Sequence, residues 1–248
     1  MPRKTKAFST IQSLRERYYR ALPGKESLVK VINEAEIPEH VYNSNAIENS
    51  TLTLEETEKI LLQIDLERFI SEREIFEAKN LARVSSYIET KAKEADLSLD
   101  LMCLLHKMLI ANIHDDIAGR FRAGDEWVRV GTHIGADPKD VQRLLTDMLT
   151  QYQASSNEHI VKRIARLHLT FENIHPFCDG NGRIGRAMNN YSLIREGYVP
   201  INIAFVNREQ YYEAFKEFET TEKTTIMEEL IGRALTGSYH KRLAYLEG

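Results

Sequence analysis

The chain has 248 residues, 42% hydrophobic and 28% charged, with a formal net charge of −4. Those are the values of a folded protein able to bury a sizeable core, and the slight acidity excludes the basic footprint of a nucleic-acid binder. No run approaches the roughly 18 apolar residues of a membrane span, no apolar stretch follows the basic first residues as in a signal peptide, and Cys103 and Cys178 are too few for a disulfide framework, so the expected location is the cytoplasm.

Helical periodicity runs from end to end. Helices are expected near 10–21 and 26–36. Pro38 suits the first turn of another helix over about 38–49, with Val41, Asn45 and Glu48 on one face. Thr53 and Glu56 make a capping box for a helix over 53–68, followed by one over 71–94. Ser98 caps a helix whose Leu101, Leu104, Leu105, Met108 and Leu109 share a face. Between Gly119 and Asp137 the pattern changes: there are four glycines, and Val128, Val130, Thr132 and Ile134 alternate with Trp127, Arg129, Gly131 and His133. Period two between turn residues predicts a β-hairpin. Asp137-Pro138 then opens a helix carrying Val141, Leu144, Leu145, Met148 and Tyr152. Ile160, Ile164, Leu167, Phe171 and Ile174 form one stripe, and Pro176 ends that helix near Ile174. Ala187, Met188, Tyr191 and Ile194 form the next, with Gly197 as its stop. Two further helices are expected near 208–219 and 222–235. The fold class is all-α with a small β-hairpin.

The densest chemistry lies in His175-Pro-Phe-Cys-Asp-Gly-Asn-Gly-Arg-Ile-Gly-Arg186. An imidazole accepts a proton near neutral pH, an aspartate is a hard ligand for Mg²⁺, glycines let amides crowd an anion, and arginines present planar forks to phosphate oxygens. The helix start that follows adds its dipole. Gly180, Gly182 and Gly185 satisfy G-x-G-x-x-G, but that fingerprint requires a preceding strand, and here a helix and a proline precede it.

This stretch resembles the active-site signature of Fic-domain enzymes, H-x-F-x-[DE]-G-N-G-R-x-x-R, at every defined position. The resemblance implies a Fic-type helical bundle that transfers AMP from ATP to a Ser, Thr or Tyr hydroxyl of a protein. It makes His175 the catalytic base and Asp179 the Mg²⁺ ligand. Gly180, Asn181, Gly182, Arg183, Ile184, Gly185 and Arg186 become nucleotide-binding residues, with Arg186 on the γ-phosphate. Tyr212, the second of a tyrosine pair, is placed near the adenine, although Tyr211, Tyr212, Phe215 and Phe218 also read as a plain core stripe. Gly182 stands where phosphate-transferring Doc proteins carry Lys, which favours AMP transfer. Phe177 is expected to anchor the loop, Cys178 to be a small spacer, and His133 to be a surface polar residue.

Ser44-Asn-Ala-Ile-Glu48-Asn49 resembles the family's inhibitory motif, [ST]-x-x-x-E-[GN], placing Ser44, Glu48 and Asn49 in an inhibitory role with Glu48 competing for Arg186. Where the family commonly has Gly then Asn after the glutamate, this chain has Asn49-Ser50. The implied organisation is an N-terminal helical extension over 1–96, a catalytic core over 97–232 and a C-terminal helical tail over 233–248. The implied partners are ATP, a target protein docking on the 127–134 flap by strand addition, and the chain itself as a modification substrate and in a homo-oligomer; nucleic acid and membrane are not expected. Two other classes stay open: a hydrolase that removes AMP with Glu48 orienting water, and a nucleotide-binding regulator with little turnover.

Overall fold

The computed structural model describes residues 2–248, with side chains from Phe8 onward. These form α1 (Pro2–Ala21), α2 (Glu26–Ile47), α3 (Leu54–Leu62), α4 (Glu72–Lys91), α5 (Leu99–Ile110), β1 (Arg129–Val130), β2 (His133–Ile134), α6 (Val141–Ala154), α7 (Ile160–Ile174), α8 (Asn181–Arg195), α9 (Arg208–Thr221) and α10 (Thr225–Glu247). The fold is all-α with one two-stranded ribbon. Its local signals are the expected ones. Thr53 and Glu56 complete a capping box at α3, and Ser98 accepts from Leu101 N–H at the start of α5. The helix expected to reach residue 68 stops at Leu62, because Gln63 turns left-handed there. The one expected near 222–235 continues to Glu247, since Leu235, Tyr239, Leu243 and Leu246 extend its buried stripe alongside α1.

One boundary differs in kind. No helix begins at Pro38; the proline lies inside α2, which runs unbroken from Glu26 to Ile47. A proline there removes one backbone hydrogen bond and crowds the preceding turn. Tertiary contacts on both sides of it hold the helix together. Buried Arg242 of α10 donates to Asn33 Oδ1 and to Glu36, and Lys241 bridges Glu36 and Glu39 at 3.2 and 3.4 Å.

Helices α7 and α8 are the spine. Leu167, Phe171 and Ile174 of α7 join the core built with α3–α6, while Ile160, Val161, Ile164 and Leu169 join the core built with α1, α9 and α10. Every residue of α8 from Asn181 to Ile194 is buried, so its polar groups lie inside the protein and find their partners there. Gly185 permits the close α7–α8 approach: a Cβ there would lie 2.7 Å from Glu172 Oε1 and 2.8 Å from His168 Cε1. The hairpin pairs Arg129 with Ile134 and Val130 with His133 around Gly131, at φ 59°. It stands over the C-terminal end of α7, and Val130 and Ile134 are exposed.

Candidate active site

The loop between α7 and α8 is fixed from several sides. His175 caps α7 in the left-handed conformation, φ 52°, and its N–H donates to Phe171 O at 2.9 Å. Asn181 closes the loop: its Oδ1 accepts from Phe177 N–H and its Nδ2 donates to Phe177 O, both at 2.8 Å. Phe177 is fully buried and stacks on His106, ring centroids 3.8 Å apart. His106 Nδ1 accepts Gly119 N–H at 3.0 Å, so its Nε2 carries the proton and donates to Asp179 O at 3.1 Å. Burial pushes this imidazole down to about 4, which keeps it neutral.

Arg122 performs the largest share of the holding. Only 1% exposed, it donates to His175 O at 2.6 Å, Ile174 O at 3.0 Å and Glu126 O at 3.3 Å, and also to Ala136 O. Its own N–H donates to Pro176 O at 2.9 Å. Replacing it by Met keeps roughly the volume and strips a donor from four carbonyls, of which Ile174 O alone retains another, Ala136 N–H at 3.1 Å. Arg122→Met is therefore expected to lower stability by about 3–5 kcal/mol, the usual range for breaking a buried charged network; an unfolding midpoint in denaturant matching the wild type would refute this.

His175 has the chemistry of a proton acceptor. Its Nδ1 lies 3.3 Å from Glu172 O, an acceptor only, so Nδ1 bears the hydrogen and Nε2 the free lone pair. Burial pushes the imidazole down to about 4. Beside it, the Glu172 carboxyl is buried, with Oε1 lacking any hydrogen-bond partner and Oε2 at 3.8 Å from His175 Nδ1. Burial, with the charge of Glu48 adding to it, pushes this carboxyl up to about 8. At neutral pH the contact is thus a carboxylic acid against a neutral imidazole, not an ion pair.

The start of α8 has no side-chain cap and no acidic residue in its first turn, an arrangement suited to an anion. The Glu48 carboxylate lies beside it, against Gly182 and Arg186. A Cβ on Gly182 would lie 2.0 Å from Glu48 Oε1, so only glycine leaves the room. Glu48 Oε1 accepts from Arg186 Nη2 at 2.8 Å. Arg186 also donates to Ser44 Oγ, Ser44 O and the Tyr211 hydroxyl, each at 2.9 Å. The Tyr211 hydroxyl in turn donates to His168 Nε2 at 2.8 Å. Asn49 takes the left-handed conformation, φ 70°, that ends the helix after Glu48, and Ser50 N–H returns to Asn45 O at 3.0 Å. Asparagine tolerates this geometry where most residues do not, so the Asn49-Ser50 departure leaves the helix end intact.

Asp179 is held by Arg73 Nη2 at 2.7 Å and Arg183 Nη2 at 3.3 Å. Arg183 is buried between Asp179 and Glu77, the latter at 3.1 Å. A cleft of about 840 Å³ collects Glu48, His175, Asp179, Gly180, Asn181, Gly182 and Tyr212 under the hairpin. Ile184 lies in the core, Gly185 against His168 and Glu172, and Arg183 and Arg186 behind the cleft wall. Tyr212 donates to Ile47 O at 3.1 Å, whereas Tyr211 is fully buried. His133 links Asn173 O at 2.9 Å to Glu219 at 3.3 Å, joining hairpin to cleft wall. Burial raises the Cys178 thiol, as suits a spacer. Sequence reasoning missed Arg73, Glu77, His106, Arg122, His168 and Glu172; none lies in the catalytic loop, although Glu172 sits three residues before His175.

Residues 96–193 match the Fic/DOC family model. This chain carries a Fic/DOC domain. It is 30% identical over 222 residues to "Protein adenylyltransferase Fic" of Drosophila melanogaster, covering 83% of this chain and 44% of that protein. It is 29% identical over 210 residues to the protein of the same name from Nematostella vectensis, covering 82% and 48%. The chain thus spans about half the length of the curated relatives it matches. The fold matches a Fic domain-containing signaling protein of Bacteroides thetaiotaomicron with a TM-score of 0.86, 22% identity and coverage of 96% and 97%. Fic-1 of C. elegans matches with a TM-score of 0.84, 22% identity and coverage of 97% and 71%. The Fic/DOC domain begins beside α5 and ends within α8, so Glu48, Arg73 and Tyr211 reach the catalytic loop from outside the matched segment. Among the described residues no helix is long and apolar enough to cross a membrane.

Proposed function

We propose that this chain transfers AMP from ATP to a protein hydroxyl and that Glu48 holds it in check. The observation that carries this is the Glu48–Arg186 contact at 2.8 Å, made at the uncapped start of α8 beside a neutral His175. The name shared by the relatives supports the same chemistry. In this reading His175 Nε2 takes the proton of the incoming Ser, Thr or Tyr hydroxyl as that oxygen attacks the α-phosphate, and pyrophosphate leaves. Gly180, Asn181 and Gly182 offer backbone amides to phosphate oxygens. Asn181 does so by its main chain, since its side chain closes the loop. Arg186, once released by Glu48, presents its fork to the γ-phosphate. Arg183 holds Asp179 in place and adds positive charge near the β-phosphate. Tyr212 on the cleft wall contacts the base.

Asp179 suits a Mg²⁺ ion. It offers one hard carboxylate opening on the cleft, and Mg²⁺ commonly takes one or two carboxylates and completes its shell with water and substrate phosphates. The ion would neutralise charge on the departing pyrophosphate, displacing the contacts from Arg73 and Arg183. Asp179→Asn is expected to reduce transfer steeply and flatten its response to Mg²⁺; superimposable Mg²⁺ titrations of the two proteins would contradict this role. The unpaired outer edges of the Arg129–Ile134 hairpin suit strand addition by a target segment, which would lay its hydroxyl over His175. Both cysteines are free thiols, in keeping with a cytoplasmic setting.

The deciding experiment incubates wild-type and Glu48→Gly protein with α-labelled or γ-labelled ATP and separates the products on a gel. Label retained from α-labelled ATP alone supports AMP transfer. Label from γ-labelled ATP means phosphorylation and rejects the proposal, as does loss of label from a pre-modified target without any gain.

A further inference from the structure

Behind the inhibitory helix lies a second cavity. It has a volume of about 450 Å³, opens to the surface and is lined by α2, α4, α8, α10 and the segment 200–207. Ile37, Ile88, Ile194, Leu230 and Ala234 give it apolar walls. Its charged groups are mostly matched: Glu36 and Glu39 are held by Lys241 and Arg242, and Arg233 donates to Gln210. Glu89 is not. This α4 carboxyl faces the cavity with neither a hydrogen bond nor an ion pair among the described residues. Burial pushes it up to about 7, with Glu34 and Glu36 adding to the effect and Arg242 opposing it. An unpaired carboxylate in such a place is relieved by a cation.

The inner end of the cavity narrows to an annex of about 10 Å³, with His40, Ile201, Asn202 and Ile203 common to both. The annex is walled by Ser44, Arg186 and Asn189. Asn189 is 1% exposed, and neither its Nδ2 nor its Oδ1 has a partner. A buried amide with both ends unsatisfied is uncommon and marks a place for a ligand or water. Arg186 holds Glu48 and Ser44 holds Arg186, so the annex abuts the inhibitory clasp directly.

We propose that this cavity binds a small organic cation, an ammonium or guanidinium on an apolar body, with its charge on Glu89, and that occupancy favours the state in which Glu48 is seated. The linkage follows from geometry. The cavity has this shape with α2 docked and Glu48 on Arg186, and a ligand that fits one state stabilises it. The site and its coupling are independent of which group the protein transfers.

The test is calorimetric titration of the full chain with phenethylamine, using 2-phenylethanol as the uncharged comparator. Saturable binding with one site per chain is expected, about tenfold or more weaker for the alcohol and for Glu89→Gln, as befits loss of a charge-assisted contact. Ala234→Phe, which fills the cavity from α10, gives a second variant that does not depend on Glu89 and should remove the binding. Absence of saturable binding to the wild type, or equal amine affinity for wild type and Glu89→Gln, overturns the site. The coupling is read from Glu48→Gly, which should bind phenethylamine about fivefold more weakly by reciprocity; equal affinity overturns the coupling while leaving the site.

Discussion

Glu48→Gly should raise AMP transfer by about 10- to 100-fold, most visibly as label on the protein itself. The carboxylate accepts a charge-assisted hydrogen bond from Arg186 and lies against Gly182 in the first turn of α8. Contacts of that kind contribute roughly 1.5–3 kcal/mol net, and a tenfold change in productive binding corresponds to about 1.4 kcal/mol. On the proposed reading ATP would still enter the cleft with Glu48 in place, but its γ-phosphate would lack the guanidinium and its α-phosphate would be turned from in-line attack. Adding Arg186→Ala should erase the gain, because the freed arginine is what the first substitution makes available. Ser44 and Tyr211 would still position an unsubstituted Arg186 once Glu48 is gone, through three contacts at 2.9 Å. A folded Glu48→Gly protein that binds ATP and transfers no faster than wild type would end the inhibition hypothesis.

His175→Ala should lower transfer by about 10² to 10⁴, the usual worth of a general base, with ATP affinity nearly unchanged. The imidazole acts on the incoming hydroxyl, and the groups assigned to the phosphates are separate from it. The pH profile provides a second check. Burial places this imidazole near 4, below its ordinary value, so the base stays unprotonated throughout the neutral range. In the Glu48→Gly background, kcat/KM should therefore hold its value on acidification through pH 6, where an ordinary histidine would already be protonated. Retained transfer in His175→Ala, measured by label from α-labelled ATP, would remove the residue from this role.

The readability of the chain followed the range of the interactions. Caps such as Thr53 with Glu56 and the stripe from Ile160 to Ile174 are set by neighbours within a turn or two, and these were visible in one dimension. Pro38 reads locally as a helix start because a proline breaks a helix that precedes it, whereas Arg242 and Lys241, some 200 residues away, hold α2 continuous. The catalytic loop was legible because its chemistry is packed into twelve positions. Its supports were not: Arg122, His106 and Arg73 reach it across 53, 73 and 106 residues of sequence. An isolated buried arginine leaves no periodic trace, and nothing local distinguishes Arg122 from a surface residue. Glu172 is a different case. It lies off the Ile160–Ile174 stripe, on a second face of α7 with Val161, Ala165 and His168 that the structure also buries, so periodicity alone left it looking like a surface carboxylate.

The absent side chain at position 182 links two distant stretches of the chain. Any Cβ there would overlap the carboxylate of residue 48, so the two positions are not free to drift separately. A side chain at 182 would have to push the carboxylate aside, and on the proposed reading would weaken its hold on Arg186 with residues 48 and 186 themselves unaltered. The proposed restraint would then depend on the space left at 182 as much as on a pair of charges.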